Sequence, residues 1–157
     1  VNVILDHNTT ARVAWNSTGN NSEMKEVADA LKKDTSTWKN TARLITANEV
    51  AKITGNTGFD ATQLGQVWFY LDSNNQTQTT NASNKSKYAW LFDYTKECTN
   101  YGCNKQDSST EGYWTSTRKI GETTIWHVNS VGFLSAHVMT LNCYGVRPVI
   151  TISKSNI

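Results

Sequence analysis

The last third of the chain constrains the fold most, because it divides into short apolar runs separated by turn residues. Runs of this length that are rich in β-branched and aromatic residues predict strands, mostly paired antiparallel. The four runs are Gly112–Thr117, Thr124–Asn129, Ala136–Leu141 and Val146–Ser153. The only proline, Pro148, predicts that the last strand lies at an edge or begins with a bulge, since proline cannot donate to a sheet ladder.

The first third of the chain predicts a helix. An apolar stripe recurs at helical spacing through Met24, Val27, Ala28 and Leu31. Charged residues occupy the other side, so we expect the stripe to face the core rather than a partner. Ser22 stands where it can cap this helix, which should run to about Lys33.

A second, shorter helix is predicted from its terminal residues. Thr46 and Glu49 form the Thr-x-x-Glu capping box. Gly55 stands where a glycine commonly ends a helix. The helix should therefore span about Ala47–Thr54, after an extended approach.

The remaining segments are read from their apolar and polar runs. Val1–Leu5 and Ala11–Trp15, separated by turn residues, predict an N-terminal hairpin. Gln66–Leu71 predicts a buried strand or core-packed segment, and Tyr88–Phe92 a return to the core. Between them, Asp72–Lys87 is polar and has no periodicity, which predicts a long exposed loop.

Together these patterns predict one α+β domain over residues 1–157, with two short helices packed on mainly antiparallel strands and long irregular loops. A chain of 157 residues without repeats suits a single core. Its formal net charge of +2 gives no reason to expect nucleic acid as a partner. No apolar run approaches the about 18 residues of a membrane span.

The cysteines bear on the compartment. Cys98 and Cys103 enclose a short turn that can bring their Cβ atoms together, so we expect a disulfide; two neighbouring reduced thiols are the alternative. A disulfide here would contribute about 2 kcal/mol in the chain-entropy model. It would also imply an oxidising compartment. Cys143 is left over, either buried and inert or exposed.

Three stretches, in this order, resemble the formylglycine-generating-enzyme branch of the C-type-lectin-like fold. Ala42–Val50 is similar to that branch's Arg-Leu-Pro-Thr-x-x-Glu-Trp segment, with Ile45 in place of Pro and Val50 in place of Trp. Gly112–Thr117 resembles its Trp-Thr-Ser strand, and Tyr144–Val149 its closing Gly-Phe-Arg strand. The resemblance implies a C-type-lectin-like fold for most of the chain from Ala42 onward.

Nearly the whole chain also resembles surface or pilin-associated proteins of gut Firmicutes, which have a cysteine-containing turn before Tyr-Trp-Thr-Ser and a Gly-Val-Arg-Pro-Val-Ile end. The same fold carries the variable proteins of diversity-generating retroelements, whose C-terminal strands and loops display a randomised binding surface. These resemblances imply surface display and ligand binding. They support the fold more than the function, because one scaffold hosts many kinds of site.

Large aromatic residues and one arginine are predicted to lie in the interior of the domain. Trp114, Trp126 and Trp90 are expected to supply large core pieces. Arg147, between a glycine-containing strand and Pro148, is expected to be an internal brace that a carboxylate could hold through two hydrogen bonds, with a ligand role as the lesser alternative.

Catalytic and metal chemistry find little support. Formylglycine-type oxidation needs two reactive cysteines at a substrate groove, and Cys143 stands alone. Asp72–Asn75 is a candidate calcium site, or else an Asx-rich turn. Zinc could recruit His127, His137 and Cys143, but no ligand-spacing motif supports it. With no Gly-x-Ser-x-Gly elbow either, we expect no enzyme, no metal and no cofactor.

The candidate binding residues lie in the last hairpins. In Thr124–Asn129, Trp126 and Val128 share one face, which puts His127 and Asn129 on the other. The full set has no evident core pattern: Arg118, His127, Asn129, Phe133, Ser135, His137, Asn142 and Tyr144. Two origins would each produce this mixture of residue types: adenine-directed randomisation of asparagine codons, or an ordinary variable surface. Either origin predicts an exposed face, whose substitution changes stability little.

We therefore expect a non-enzymatic ligand-binding domain at the cell surface, an adhesin or variable display domain. Its expected partner is a protein or glycan on another cell or surface, with no membrane insertion by this segment. The alternative is a structural subunit, such as a minor pilin, whose contacts are with its own copies. Only 18% of the residues are charged, and the sequence starts at Val1 with no visible signal peptide, so we expect a mature or trimmed extracellular piece.

Overall fold

The chain alternates between two β-sheets and three helices in a computed structural model that describes residues 1–67, 69–70, 88–92, 111–130 and 132–156. The elements, in chain order, are β1 (Asn2–Ile4), β2 (Thr10–Val13), α1 (Glu26–Asp34), β3 (Ala42–Arg43), α2 (Ala47–Ile53), β4 (Phe69–Tyr70), α3 (Ala89–Phe92), β5 (Gly112–Arg118), β6 (Thr124–Asn129), β7 (Phe133–Val138), β8 (Tyr144–Val146), β9 (Val149–Thr151) and a 3-10 turn (Lys154–Asn156).

The described strands form a six-stranded sheet in the order β2-β8-β5-β6-β7-β4 and a three-stranded sheet in the order β1-β9-β3. The pairs are antiparallel apart from β5 with β8, which is parallel. The mixed α+β class and the predominance of antiparallel strands are confirmed. None of the described helices is long and apolar enough to cross a membrane.

The predicted N-terminal hairpin is wrong. β1 pairs with β9 in the small sheet, where Val3 faces Ile150, while β2 pairs with β8 in the large sheet, where Thr10 faces Val146. The intervening turn is tied to the large sheet by Asn8, whose buried Nδ2 donates to the Gly112 carbonyl at 3.1 Å. An apolar alternation indicates a strand but does not say which strand is its partner.

The predicted last strand, Val146–Ser153, is interrupted at Arg147 and Pro148. The run divides into β8 and β9, and Arg147 and Pro148 carry the chain from one sheet to the other. β9 is then the central strand of the small sheet rather than an edge. Pro148 lies outside the ladder, so its missing N–H costs nothing there, and its carbonyl accepts from Leu5 N at 2.9 Å.

Two further segments differ from the predicted ones. The third run is shifted: β7 covers Phe133–Val138, and the chain turns at Met139. In Gln66–Leu71 the backbone of β4 pairs with β7, but Val67 just before it is exposed. The predicted loop Asp72–Lys87 lies outside the described residues.

The second helix is confirmed with its caps. Thr46 Oγ1 accepts from Glu49 N at 3.1 Å, and Thr46 N donates to a Glu49 carboxylate oxygen at 2.9 Å, which completes the capping box. After α2, Gly55 has a φ of 80°, the left-handed conformation that glycine adopts without strain.

The first helix starts later than predicted. Ser22 does not cap it, because its N–H and hydroxyl both donate to Asn20 Oδ1, at 3.0 and 2.7 Å. α1 begins at Glu26 without a side-chain cap. Val27 and Leu31 of the predicted stripe are buried, whereas Met24 lies before the helix and is exposed.

Two apolar clusters lie on opposite sides of the large sheet. One holds Tyr113, Trp126, Val128 and Leu134 of the sheet against α2 and Leu91. The other holds Trp114, Ile125, Tyr144 and Val146 of the sheet against Trp15 and α1. Trp114 and Trp126 are core residues, as predicted. The prediction for Trp90 is wrong, because 43% of this residue is exposed.

Arg147 is an internal brace, as the sequence predicts, but main-chain carbonyls rather than the suggested carboxylate accept its described hydrogen bonds. It is fully buried, and its Nη1 donates to the carbonyls of Trp90 and Leu91, each at 3.0 Å. Its guanidinium carbon lies 4.6 Å from the ring centroid of Tyr113, whose hydroxyl also donates to the Leu91 carbonyl. Arg147 thereby fixes the backbone of α3 against the large sheet.

Candidate functional site

Strands β6 and β7 bring most of the predicted binding residues onto one side of the large sheet. In their antiparallel register His127 faces Ser135, and Ile125 faces His137. Because alternate residues of a strand share a face, Asn129 and Phe133 continue the same row. We call these five side chains, with Tyr144 of β8, the histidine face: Asn129, His127, Phe133, Ser135, His137 and Tyr144.

Aromatic rings pack closely within the histidine face. The ring centroids of His127 and Tyr144 are 3.9 Å apart, and those of His137 and Tyr144 are 5.7 Å apart. Trp114 lies beneath them, with its centroid 4.6 Å from that of Tyr144 in an edge-on arrangement. Trp114 is itself fixed by its Nε1, which donates to the Val13 carbonyl at 2.8 Å. The face therefore has a stiff aromatic floor.

The expectation that all of these residues are exposed is wrong for two of them. His127 is 2% exposed and Tyr144 1% exposed. The alternation along β6 is as predicted, since His127 lies opposite Trp126, but β6 is an interior strand and both of its faces are covered. Substituting His127 or Tyr144 would consequently perturb the core rather than an exposed surface alone.

Burial determines the charge state of His127. Removal from water, and secondarily the charge of neighbouring His137, lower the pKa of His127 to about 3. The ring is therefore neutral at physiological pH. Its Nδ1 is buried without a hydrogen-bond partner among the described residues. His127 thus belongs to the floor, and its ring packing with Tyr144 matters more than its charge.

The accessible part of the histidine face is its β7 row. Phe133, Ser135 and His137 are half-buried, as is Asn129 at the end of β6. His137 Nδ1 accepts from Val138 N at 2.9 Å, which holds the imidazole in place and leaves Nε2 as its outer nitrogen. A hydroxyl, an imidazole, a carboxamide and an aromatic ring thus lie side by side.

The other two predicted binding residues are less closely placed. Arg118 pairs with Ile125, which in turn pairs with His137, so Arg118 lies two strands away at the same level. Its Nη1 donates to the Asn21 carbonyl at 3.0 Å, beside a separate cavity of about 330 Å³ at the β5–β6 turn. Asn142 is exposed in the turn before β8. Arg118 therefore shares the large sheet with the histidine face, and Asn142 lies two residues before Tyr144 in the chain.

Comparison with known proteins adds no further constraint. No known family, curated protein or solved structure matches this chain.

Two of the three candidate zinc ligands, His127 and His137, are neighbours in the structure. The rings of His127 and His137 are 6.1 Å apart, but no group of three or more His, Cys, Asp or Glu side chains is arranged to hold a metal ion within the described part of the chain. The calcium candidate Asp72–Asn75 lies outside that part, as do Cys98 and Cys103.

Cys143 is buried beneath this region and is expected to resist alkylation. It is 8% exposed, and burial together with the charge of Glu111 raises the pKa of its thiol to about 11. Native protein treated with iodoacetamide at mildly alkaline pH should therefore gain no label at Cys143. After unfolding without reductant, mass spectrometry should show one labelled cysteine, because we expect Cys98 and Cys103 to be bridged; three labels would contradict the disulfide.

Proposed function

We propose that this chain is a non-enzymatic ligand-binding domain displayed at the cell surface, and that the histidine face is its binding site. The observation that carries the proposal is the β6–β7 register, which aligns His127 with Ser135 and continues the row through His137, Phe133 and Asn129. Polar and aromatic side chains that share one half-open face form the kind of surface that binds a ligand through both packing and hydrogen bonds.

The composition of the face supports recognition of a protein or glycan. Ser135 and His137 supply both hydrogen-bond donors and hydrogen-bond acceptors on short side chains, and Phe133 supplies apolar area. The floor beneath them is rigid, because His127 and Tyr144 pack against each other and on Trp114. A preorganised site loses less conformational entropy on binding, which favours affinity.

The C-type-lectin-like fold is part of the same proposal. An α+β chain in which β8, near the end of the sequence, is inserted beside β5 in the large sheet is compatible with that fold. So is the placement of the candidate residues on its C-terminal strands. The extracellular location is likewise proposed: the predicted disulfide would require an oxidising compartment, and the weakly charged composition supports it.

A double substitution on the accessible row tests the site. The fluorescently labelled chain is applied to a printed glycan array and to immobilised mucin, fibronectin and collagen. We expect Ser135→Ala with His137→Ala to abolish the binding that the unchanged chain shows. Both residues are half-buried at most, so the melting temperature should change little. His127 and Tyr144 are left unchanged in this variant, because they are buried and their substitution would also destabilise the fold.

His7→Ala is the matched control, because it removes a histidine that pairs with Asp6 and lies outside β6 and β7. It should bind as the unchanged chain does. If the double variant still binds its probe with unchanged affinity, or if the unchanged chain binds none of the probes, the histidine face is not the site of such a ligand.

The structural-subunit alternative has its own supporting observation. β1 is an edge strand of the small sheet. Val3, within this strand, and Val1, directly before it, are exposed. Exposed apolar residues on an edge strand favour pairing with another chain. Sedimentation analysis separates the two proposals: a concentration-dependent assembly that Val3→Lys removes would support the subunit, while a monomer at all concentrations would support the binding domain.

A further inference from the structure

A second cavity, of about 380 Å³, lies on the other side of the large sheet from the histidine face. It is a half-open cavity lined by residues of β1, β9, α2 and α3, and its walls include Ile4, Ile53 and Trp90. This volume is at the lower end of the range for ligand cavities, about 300–1,000 Å³, which suits a ligand of one ring.

Trp90 is presented to this cavity on a fixed backbone. Its carbonyl accepts from buried Arg147, and the next carbonyl, of Leu91, accepts from both Arg147 and Tyr113. The residue is nevertheless 43% exposed. A large ring that is held in place while nearly half open to water offers an apolar platform to the flat face of another ring.

The charges around the cavity are distributed unevenly. Both carboxylate oxygens of Glu49 are already engaged, by a two-bond ion pair with Arg43 at 2.6 and 2.8 Å and by the amide of Asn2 at 3.2 Å. Burial alone would raise the pKa of Glu49, but the hydrogen bonds from Arg43 and Thr46 lower it, so this carboxylate stays ionised and paired.

Lys52 is the other charged residue, besides Glu49, that the structure places in the cavity lining. It lies one helical turn from Glu49 on the same side of α2, lines the cavity and is exposed. Its ammonium group makes no ion pair with any residue that the structure describes. Among the described residues that line the cavity, Lys52 thus leaves one positive charge without an ion-pair partner, which favours an anion over a cation. Asn2 also lines the cavity. Its side-chain Nδ2 donates one hydrogen to Glu49 and has a second hydrogen to donate.

We propose that this cavity binds an acidic pyranose, a sugar ring that carries a carboxylate. The apolar face of the ring packs on Trp90, its carboxylate pairs with Lys52, and a hydroxyl accepts from Asn2. Two sources share this chemistry: a uronic acid within a polysaccharide, and a terminal sialic acid on a glycoprotein. The site is separate from the histidine face and does not depend on it.

Saturation-transfer NMR and calorimetry with small glycosides test the proposal. The probes are the methyl glycosides of glucuronic acid and of N-acetylneuraminic acid, with methyl glucoside as the neutral comparison and cyclohexanecarboxylate as the acid without hydroxyls. At least one acidic glycoside should bind with a Kd in the millimolar range or below, and methyl glucoside about tenfold more weakly. The glycoside that binds identifies the source.

Two substitutions separate the contributions. Lys52→Met should weaken the acidic glycoside about tenfold and leave methyl glucoside unchanged, because it removes one charge-assisted hydrogen bond. Trp90→Ala should remove saturation transfer to every probe. The matched controls are Lys32→Met and Trp38→Ala, which alter a lysine and a tryptophan at another cavity, of about 480 Å³, beside α1.

The results that overturn the proposal are specific. They are methyl glucoside or cyclohexanecarboxylate binding as tightly as the acidic glycosides, no binding of either acidic glycoside, or loss of binding in Trp38→Ala but not in Trp90→Ala. The double variant Ser135→Ala with His137→Ala should bind the acidic glycoside normally, since its residues lie on the opposite side of the sheet. Failure of this site and failure of the histidine face are thus distinguishable.

Discussion

Replacing Arg147 by methionine should destabilise the chain by about 3 kcal/mol or more, because the part-buried carbonyl of Trp90 and the buried carbonyl of Leu91 lose a charged donor. Methionine fills similar space, so the effect isolates the hydrogen bonds rather than a cavity. The free energy of unfolding, measured by urea denaturation, checks this prediction. A typical domain has only about 5–15 kcal/mol of stability, so the shift in the midpoint should be large.

Arg118→Met is the control for this measurement. Arg118 is an exposed arginine at the end of β5, and its loss should change stability by at most about 0.5 kcal/mol. If Arg147→Met and Arg118→Met unfold at the same urea concentration as the unchanged chain, Arg147 is not the brace between α3 and the large sheet.

Trp114→Ala should cost about 3–5 kcal/mol, the range for truncation of a buried tryptophan. Trp114 is fully buried, donates to the Val13 carbonyl and packs on Tyr144, so its removal leaves a cavity and takes away this hydrogen bond. Since it also supports the floor of the histidine face, ligand binding there should fall in the same variant.

Trp90→Ala is the matched control for Trp114→Ala, because it removes the same side chain from a site where it is 43% exposed. Its effect on the free energy of unfolding should be much smaller, about 1 kcal/mol or less. Equal melting temperatures for the two variants would contradict the placement of Trp114 in the core.

The sequence predicts α2 well because the signals for this helix are local. Thr46, Glu49 and Gly55 lie within ten residues and act on the backbone beside them, so no distant contact is needed to define the helix. α1 shows the limit of the same reasoning. A Ser22 cap was plausible from spacing, but the Asn20 side chain competes for the serine N–H and hydroxyl.

Strand partners are predicted much less well, since they depend on contacts far apart in the chain. Nothing near Thr10 indicates that it faces Val146, and nothing near Val3 indicates Ile150. Pro148 is informative in hindsight: a residue that cannot donate to a ladder stands where the chain leaves one sheet and enters the other.

The sequence predicted which face of the sheet carries the candidate site residues, but not how deeply two of them are buried. Period-two spacing correctly puts His127 opposite Trp126. It does not reveal that Tyr144, from another strand, covers the His127 ring. The exposed Trp90 and its cavity were missed because an apolar aromatic residue in a short run is usually core, and only the position of α3 shows otherwise.

The pairing of β1 with β9 has a mechanical consequence. Val1 N donates to the Ile152 carbonyl at 2.7 Å, and Asn2 faces Thr151, so the backbone ends that flank β1 and β9 leave the small sheet at the same corner. Because the strands are antiparallel, tension between the ends loads the pairs in succession, from Asn2–Thr151 to Ile4–Val149, rather than all together. Under such a pull the small sheet unzips from that corner before the large sheet bears the load.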